Sequence, residues 1–159
     1  MLIAFIISVL IIVIDQITKF CLYGMSCSLI GDFLWLESTL NTGASFGMLK
    51  NGTVFFIIFS LPMIAIMIWL IISKKYNFGK FFKITLGIML GGTIGNLIDR
   101  IAFGGVRDFI YFKSINFAIF NVADIAITVA TIMLVVYLLM QLFKKKDDIK
   151  DKNKEAKEE

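Results

Sequence analysis

Apolar residues run through this chain in four long blocks, Leu2 to Tyr23, Val54 to Ser73, Phe82 to Phe103 and Ala118 to Phe143, separated by shorter and more polar stretches. At a helical rise of about 1.5 Å per residue, each block reaches across about 30 Å of hydrocarbon, so the pattern predicts transmembrane helices. Pro62 falls inside the second block, where a kink is tolerated because neighbouring groups satisfy the freed carbonyl. In the first connection, Ser28 to Phe46 alternates loosely between apolar and polar residues and gathers Phe33, Leu34, Trp35 and Leu36. That stretch predicts short strands or an interfacial patch on the membrane surface. From Lys144 onward basic and acidic residues alternate with almost nothing apolar, which predicts a disordered or frayed helical extension. The expected fold is an all-α membrane protein with four transmembrane helices and a small β-like or interfacial region in the first outer connection. Residues 1–143 form its one domain, and 144–159 a charged cytoplasmic tail.

Composition agrees with the pattern. With 58% hydrophobic residues, 18% charged and a single Pro, the chain reads as a polytopic membrane protein, and a nucleic-acid partner is not expected. Charge adds orientation. Lys74, Lys75, Lys80 and Lys83 cluster in the second connection and Lys144, Lys145 and Lys146 open the tail, whereas the first connection holds Asp32, Glu37 and only Lys50. The positive-inside rule then places both termini and the second connection in the cytoplasm, and the first and third connections outside. A cleaved signal peptide is not expected, because Asp15 and Lys19 interrupt what would be its apolar region. Cys21 and Cys27 do not make a disulfide framework, and are expected to be small buried apolar residues.

The polar residues that remain carry the chemistry. Outside the tail there are six acidic residues, and Asp15, Asp99, Asp108 and Asp124 belong to a membrane segment or its outer boundary. Helix rise puts Asp15 about 20 Å and Asp99 about 25 Å from the inner ends of their helices, and Asp124 about 9 Å below the outer start of its own. Asp108 hangs in the third connection above, so all four gather in one plane near the outer surface. Asp15 and Lys19 have the i,i+4 spacing of an intrahelical pair. Asn96, Asp99 and Arg100 form a second polar group after Gly87, Gly91, Gly92 and Gly95, whose spacing lets another helix approach closely. Asn121 and Asp124, at i,i+3, share a face if the last helix begins before Asn121.

The chain has no His, so nucleophile–His arrangements are absent and acid–base work near neutral pH falls to carboxylates. Two carboxylates held within a few ångströms share a proton and titrate as a pair. One ionised and one protonated Asp then form an aspartic-protease dyad, which needs neither metal nor cofactor. Taken alone, Asp108 has a plainer reading as an ion pair with Arg107 or Lys113. The competing function is a small proton-coupled four-helix transporter, with Asp15 binding a proton and a cation alternately. Acids gathered at one surface, and no visible internal repeat, argue against it.

Five blocks stand in order along the chain: Asp15-Gln16-Ile17-Thr18-Lys19; Asn41-Thr42-Gly43-Ala44-Ser45-Phe46-Gly47; Gly91 to Arg100, ending Asn96-Leu97-Ile98-Asp99-Arg100; Gly105-Val106-Arg107-Asp108-Phe109-Ile110; and Phe120-Asn121-Val122-Ala123-Asp124-Ile125-Ala126-Ile127. Their order and spacing resemble those of the bacterial lipoprotein signal peptidases, or signal peptidase II, over nearly the whole chain except the tail. The departures are Ser45, where Ala is common, and a short connection from Asp108 to Asp124. The resemblance implies an aspartic endopeptidase of the bacterial cytoplasmic (inner) membrane, and a monomer among membrane lipids is expected. Its substrates would be prolipoprotein signal peptides, cut before a diacylglyceryl-modified cysteine. It carries the catalytic roles to Asp108 and Asp124, and binding or supporting roles to Asp15, Lys19, Asn41, Gly43, Asn96, Asp99, Arg100 and Asn121.

Overall fold

The computed structural model describes residues 1–43, 52–75 and 78–158, with side chains up to 146. Its helices are α1 (Leu2–Leu22), α2 (Thr53–Ile72), α3 (Lys80–Phe103) and α4 (Val122–Glu158), and its strands are β1 (Ser26–Ile30), β2 (Leu34–Asn41) and β3 (Val106–Tyr111). All four helices are long and apolar enough to cross a membrane, α4 over Val122–Lys146. Ser45, and Asn77 in the second connection, lie outside the described residues.

Helix α3 is the axis of the bundle. Eleven of its 24 residues are buried, against four in α1 and two in α2. Its glycines make this possible. A Cβ on Gly91 would stand 2.8 Å from the Ser8 carbonyl oxygen of α1, and one on Gly92 2.6 Å from the Ala123 carbonyl oxygen of α4. No L side chain fits such spacing, so α1 and α4 seat directly on the α3 backbone. At one end of the bundle Ala4, Met67, Ile71, Phe82, Leu86 and Leu90 close an apolar core. At the other end the buried polar residues are Asp15, Lys19, Asn96, Asp99, Arg107, Asp108 and Asn121.

That polar end is roofed by an antiparallel sheet in the order β1-β2-β3. The strands expected in the first connection are present as β1 and β2. The third strand was not foreseen, because Val106–Tyr111 carries Arg107 and Asp108 in its interior and both of its faces are buried, which removes the alternation that marks a half-buried strand. The chain leaves α3 through Gly104, whose φ of 71° lets it turn in the left-handed region while its N–H caps Arg100. It then enters β3, in which Arg107 lies opposite Leu40 and Asp108 opposite Thr39.

Helix α4 begins four residues later than its apolar run. Phe120 is tied to Ile110 by a reciprocal pair of backbone hydrogen bonds, at 2.9 and 3.0 Å, and only then does the chain turn helical. This bridge brings the start of α4 against β3. At its far end α4 continues as helix to Glu158. Cys21 and Cys27 are free and exposed, not buried, because one lies on the outward face of α1 and the other on an edge strand.

Candidate active site

Asp108 and Asp124 arrive from different elements and share one partner. Asn121 donates from its side-chain nitrogen to Asp108 Oδ1 at 2.6 Å and to Asn96 Oδ1 at 3.1 Å. Its side-chain oxygen accepts from the Asp124 N–H at 3.0 Å, while its own N–H donates to Asp124 Oδ2 at 3.2 Å. This reciprocal pattern is a helix N-cap: Asn121 stands just before α4 and Asp124 returns from the third helical position. The two residues therefore meet through a cap rather than along a shared helical face. Asn96 of α3 donates to Asp124 Oδ1 at 2.8 Å, and Asn41, the last residue of β2, donates to Asp108 Oδ2 at 3.0 Å. Gly43 completes the corner, its N–H donating to Asn41 Oδ1 at 3.0 Å.

Neither carboxylate has an ion-pair partner among the described residues. Neutral amides hold both. Asp108 is 2% exposed, and burial, reinforced by the negative charge of Asp124, pushes its carboxyl up to about 7 despite the hydrogen bonds from Asn41 and Asn121. A carboxyl that titrates near neutrality beside a second carboxylate is a pair able to hold one proton between them.

Next to this pair lies a cluster built on the opposite principle. Lys19 pairs with Asp15 at 2.9 Å, stands 3.6 Å from Asp99, and donates to Asn96 Oδ1 at 2.9 Å. Asp15 also accepts the Ala123 N–H at 3.0 Å, so a carboxylate from α1 satisfies an orphan donor in the first turn of α4. Asp99 accepts three hydrogen bonds from Arg107, from its N–H at 2.9 Å, Nε at 3.1 Å and Nη2 at 2.8 Å. Gln16 donates to Asp99 Oδ1 at 3.1 Å and accepts from Arg107 Nη2 at 3.0 Å. Two cations here face two carboxylates. Arg107 does not pair with Asp108, and Lys113 sits over the Trp35 ring and 3.8 Å from Asp32, so the plainer reading of Asp108 as an ion-pair partner is not what the fold builds.

All ten residues expected at the site, Asp15, Lys19, Asn41, Gly43, Asn96, Asp99, Arg100, Asp108, Asn121 and Asp124, come to this end of the bundle. Gln16 and Arg107 join them unforeseen. A signal existed for each: Gln16 is an amide inside an apolar helix, where hydrocarbon offers no partner, and Arg107 is a charge in a strand directly beside a buried Asp. Successive strand residues point to opposite faces, which sends Arg107 toward Asp99 and leaves Asp108 to Asn41 and Asn121.

A cavity of about 590 Å³ opens beside the two carboxylates. Its lining combines Asn41, Asn96, Arg100, Asp108 and Asp124 with apolar and small hydroxyl side chains of α2, α3 and α4. Such a volume suits a short peptide segment.

Comparison with known proteins gives the family and the fold. A family model described as signal peptidase (SPase) II matches residues 7–140. The lipoprotein signal peptidase of Symbiobacterium thermophilum is 35% identical over 143 residues, 85% of this chain and 93% of that protein. That of Clostridium tetani is 35% identical over 144 residues, 86% of this chain and 92% of that protein. A bacterial membrane enzyme solved in meso at 2.3 Å resolution superposes with a TM-score of 0.80 at 31% identity, covering 89% of this chain and 90% of its own. A second, solved at 1.9 Å, gives 0.74 at 31% identity, covering 86% and 92%. The carboxylate pair, the amides that hold it and the four-helix frame are thus those of a chain that belongs to the signal peptidase II family.

Proposed function

We propose that this chain is a membrane aspartic endopeptidase that removes signal peptides from prolipoproteins, cutting before a diacylglyceryl-modified cysteine. The observation that carries the reading is the pair Asp108 and Asp124, both lining one cavity, both held by amides alone among the described residues and both bound to Asn121. With one proton between them, the ionised carboxylate takes a proton from the attacking water while the protonated one donates to the scissile carbonyl oxygen as it gains charge. In the second half, one hydroxyl of the tetrahedral carbon returns its proton to the dyad, the amine nitrogen receives the other, and the C–N bond breaks. The dyad ends with the single proton it began with.

The amides have a second use before chemistry. A peptide that unwinds in a membrane exposes N–H and C=O groups that cost several kcal/mol each unless they are paired. Asn41 and Asn96 line the cavity where such groups would lie.

The Lys-rich second connection and tail support an orientation with both termini cytoplasmic and the dyad near the outer leaflet of the bacterial inner membrane. Residues 1–143 would form the peptidase unit, acting as a monomer, and 144–159 its cytoplasmic tail.

The deciding experiment is an assay of purified protein on a lipidated prolipoprotein, with Asp108→Asn and Asp124→Asn beside wild type. Loss of cleavage in both with preserved thermal unfolding is expected, and wild-type turnover in either removes that residue from the dyad. Orientation is tested in a Cys21→Ser, Cys27→Ser background. A cysteine at Ser114, which is exposed, should react with an impermeant thiol reagent in intact cells. Labelling only after the cells are opened would turn the site toward the cytoplasm.

A further inference from the structure

Arg100 is not accounted for by the chemistry above. It is the only cation lining the cavity among the described residues. Unlike Lys19 and Arg107 it has no carboxylate partner among them. Its one hydrogen bond there is a long contact from Nη1 to the Asn96 carbonyl oxygen, 3.4 Å, which leaves Nε and Nη2 uncommitted among the described residues. The guanidinium is held at 4.8 Å over the Phe56 ring, fixing its plane without satisfying those donors. A fork with unused donors beside an open cavity suits a planar oxyanion.

The reaction makes one. Hydrolysis adds the water oxygen to the scissile carbon and breaks the C–N bond, and the resulting acid passes its proton to the freed amine. The products are a carboxylate on the signal peptide and an ammonium on the lipidated cysteine. That carboxylate is born beside Asp108 and Asp124, which retain one negative charge between them and repel it.

We infer that Arg100 is a product subsite that receives the new C-terminal carboxylate of the cleaved signal peptide. This rests on the endopeptidase reading. Drawing the carboxylate toward Arg100 separates it from the departing amine, opposes resynthesis of the bond, and makes the spent signal peptide a better ligand than a neutral peptide of the same sequence. A guanidinium that only held neutral backbone carbonyls would show no such preference.

The test measures binding, not turnover. A synthetic signal-peptide fragment ending at the cleavage position is titrated in two forms, free acid and C-terminal amide, into purified protein in detergent micelles, below the pH at which Asp108 titrates. Wild type should bind the acid about tenfold or more tightly than the amide, the usual advantage of a charge-assisted contact. Arg100→Gln should bind both forms alike, and Arg100→Lys should keep part of the preference. The amide, whose affinity does not depend on this contact, reports whether each variant is folded. If Arg100→Gln does not fold, Arg100→Lys decides, since a preference as large as wild type's would show that the guanidinium is not what reads the carboxylate. Equal affinities in wild type, or an undiminished preference in Arg100→Gln, overturn the subsite and leave the dyad standing. Binding of neither form by wild type overturns the signal-peptide reading itself.

Discussion

Asp99 and Asp108 stand nine positions apart, are both almost fully buried, and are equipped for opposite tasks. Asp99 accepts three hydrogen bonds from Arg107 and one from Gln16, with Lys19 close by. Asp108 accepts one from Asn41 and one from Asn121. The difference is the charge of the partners, not the depth of burial. Cations match the charge of Asp99, so the group becomes a rivet between α1, α3 and β3. Amides hold the shape of Asp108 without matching its charge, and leave it free to exchange a proton near neutral pH. This membrane fold therefore carries two polar systems side by side, one closed electrically and one left open.

The sharpest way to break this comparison is to exchange carboxylate for amide on each side. Asp108→Asn or Asp124→Asn keeps the shape and one of the two accepted hydrogen bonds but removes the shared proton, and turnover should fall by about 10²- to 10⁴-fold, the usual worth of a positioned acid or base. The fold should survive. If Asp108→Asn cleaved substrate normally while a folded Asp99→Asn did not, the roles of the two clusters would be reversed.

On the closed side the expected damage is to stability. Arg107→Leu or Asp99→Leu leaves a buried charge without its main partner, which typically costs about 3 to 5 kcal/mol. Thermal unfolding in detergent should show it. The double variant Asp99→Leu, Arg107→Leu should recover a substantial part of the loss, since a buried pair replaced by apolar groups of similar size is often nearly neutral. A double variant as unstable as the sum of the two would mean that Lys19 and Gln16, not Arg107, depend on Asp99.

Much of this was legible before the fold was known, for a physical reason: helix rise is fixed, so apolar runs gave four spans and arithmetic along them put four carboxylates at one level. What escaped was set by tertiary pairing. Arg107 reaches Asp99 only because the chain reverses at Gly104, and Gln16 meets Arg107 across 91 positions of sequence. The start of α4 was misplaced because Ala118 to Phe120 is apolar enough to extend the helix, yet Phe120 pairs with Ile110 and Asn121 caps. The strand carrying Asp108 was hidden by its composition, since placing charged residues on a strand buried on both faces erases the pattern by which strands are read.

The open side should also show its strain in stability. Asp108 titrates at about 7 in the fold and at about 3.8 in the unfolded chain, so between those values the folded state binds more protons and stability falls as pH rises. The wild type should be less stable above about pH 7 than near pH 4, by at most a few kcal/mol on this account. Asp108→Asn, which has no charge to bury, should lose that slope and unfold at a higher temperature than wild type at alkaline pH. An inactive variant that is more stable than its parent would be the stability–activity trade of a reactive group. Identical pH dependence in the two proteins would show that Asp108 is not the strained carboxylate.

The smallest expected effect is the most specific. Asn41 donates to Asp108 and so favours its ionised form, as one of two brakes, with Asn121, on a carboxyl that burial and Asp124 push upward. Asn41→Ala removes that brake, and the pKa should rise further, by about one unit or less for the loss of one hydrogen bond worth about 1 kcal/mol. If, as proposed, activity requires a singly protonated dyad, the alkaline limb of the rate profile, where that proton is lost, should move to higher pH. The titration belongs to the pair, and a shift of the limb reports the coupled system rather than one residue. A corresponding change on the closed side, Gln16→Ala, touches a carboxylate already matched by cations, and should leave the limb where it is while lowering stability. A limb that moved with Gln16 and stayed with Asn41 would show that the proton is controlled from the charged cluster.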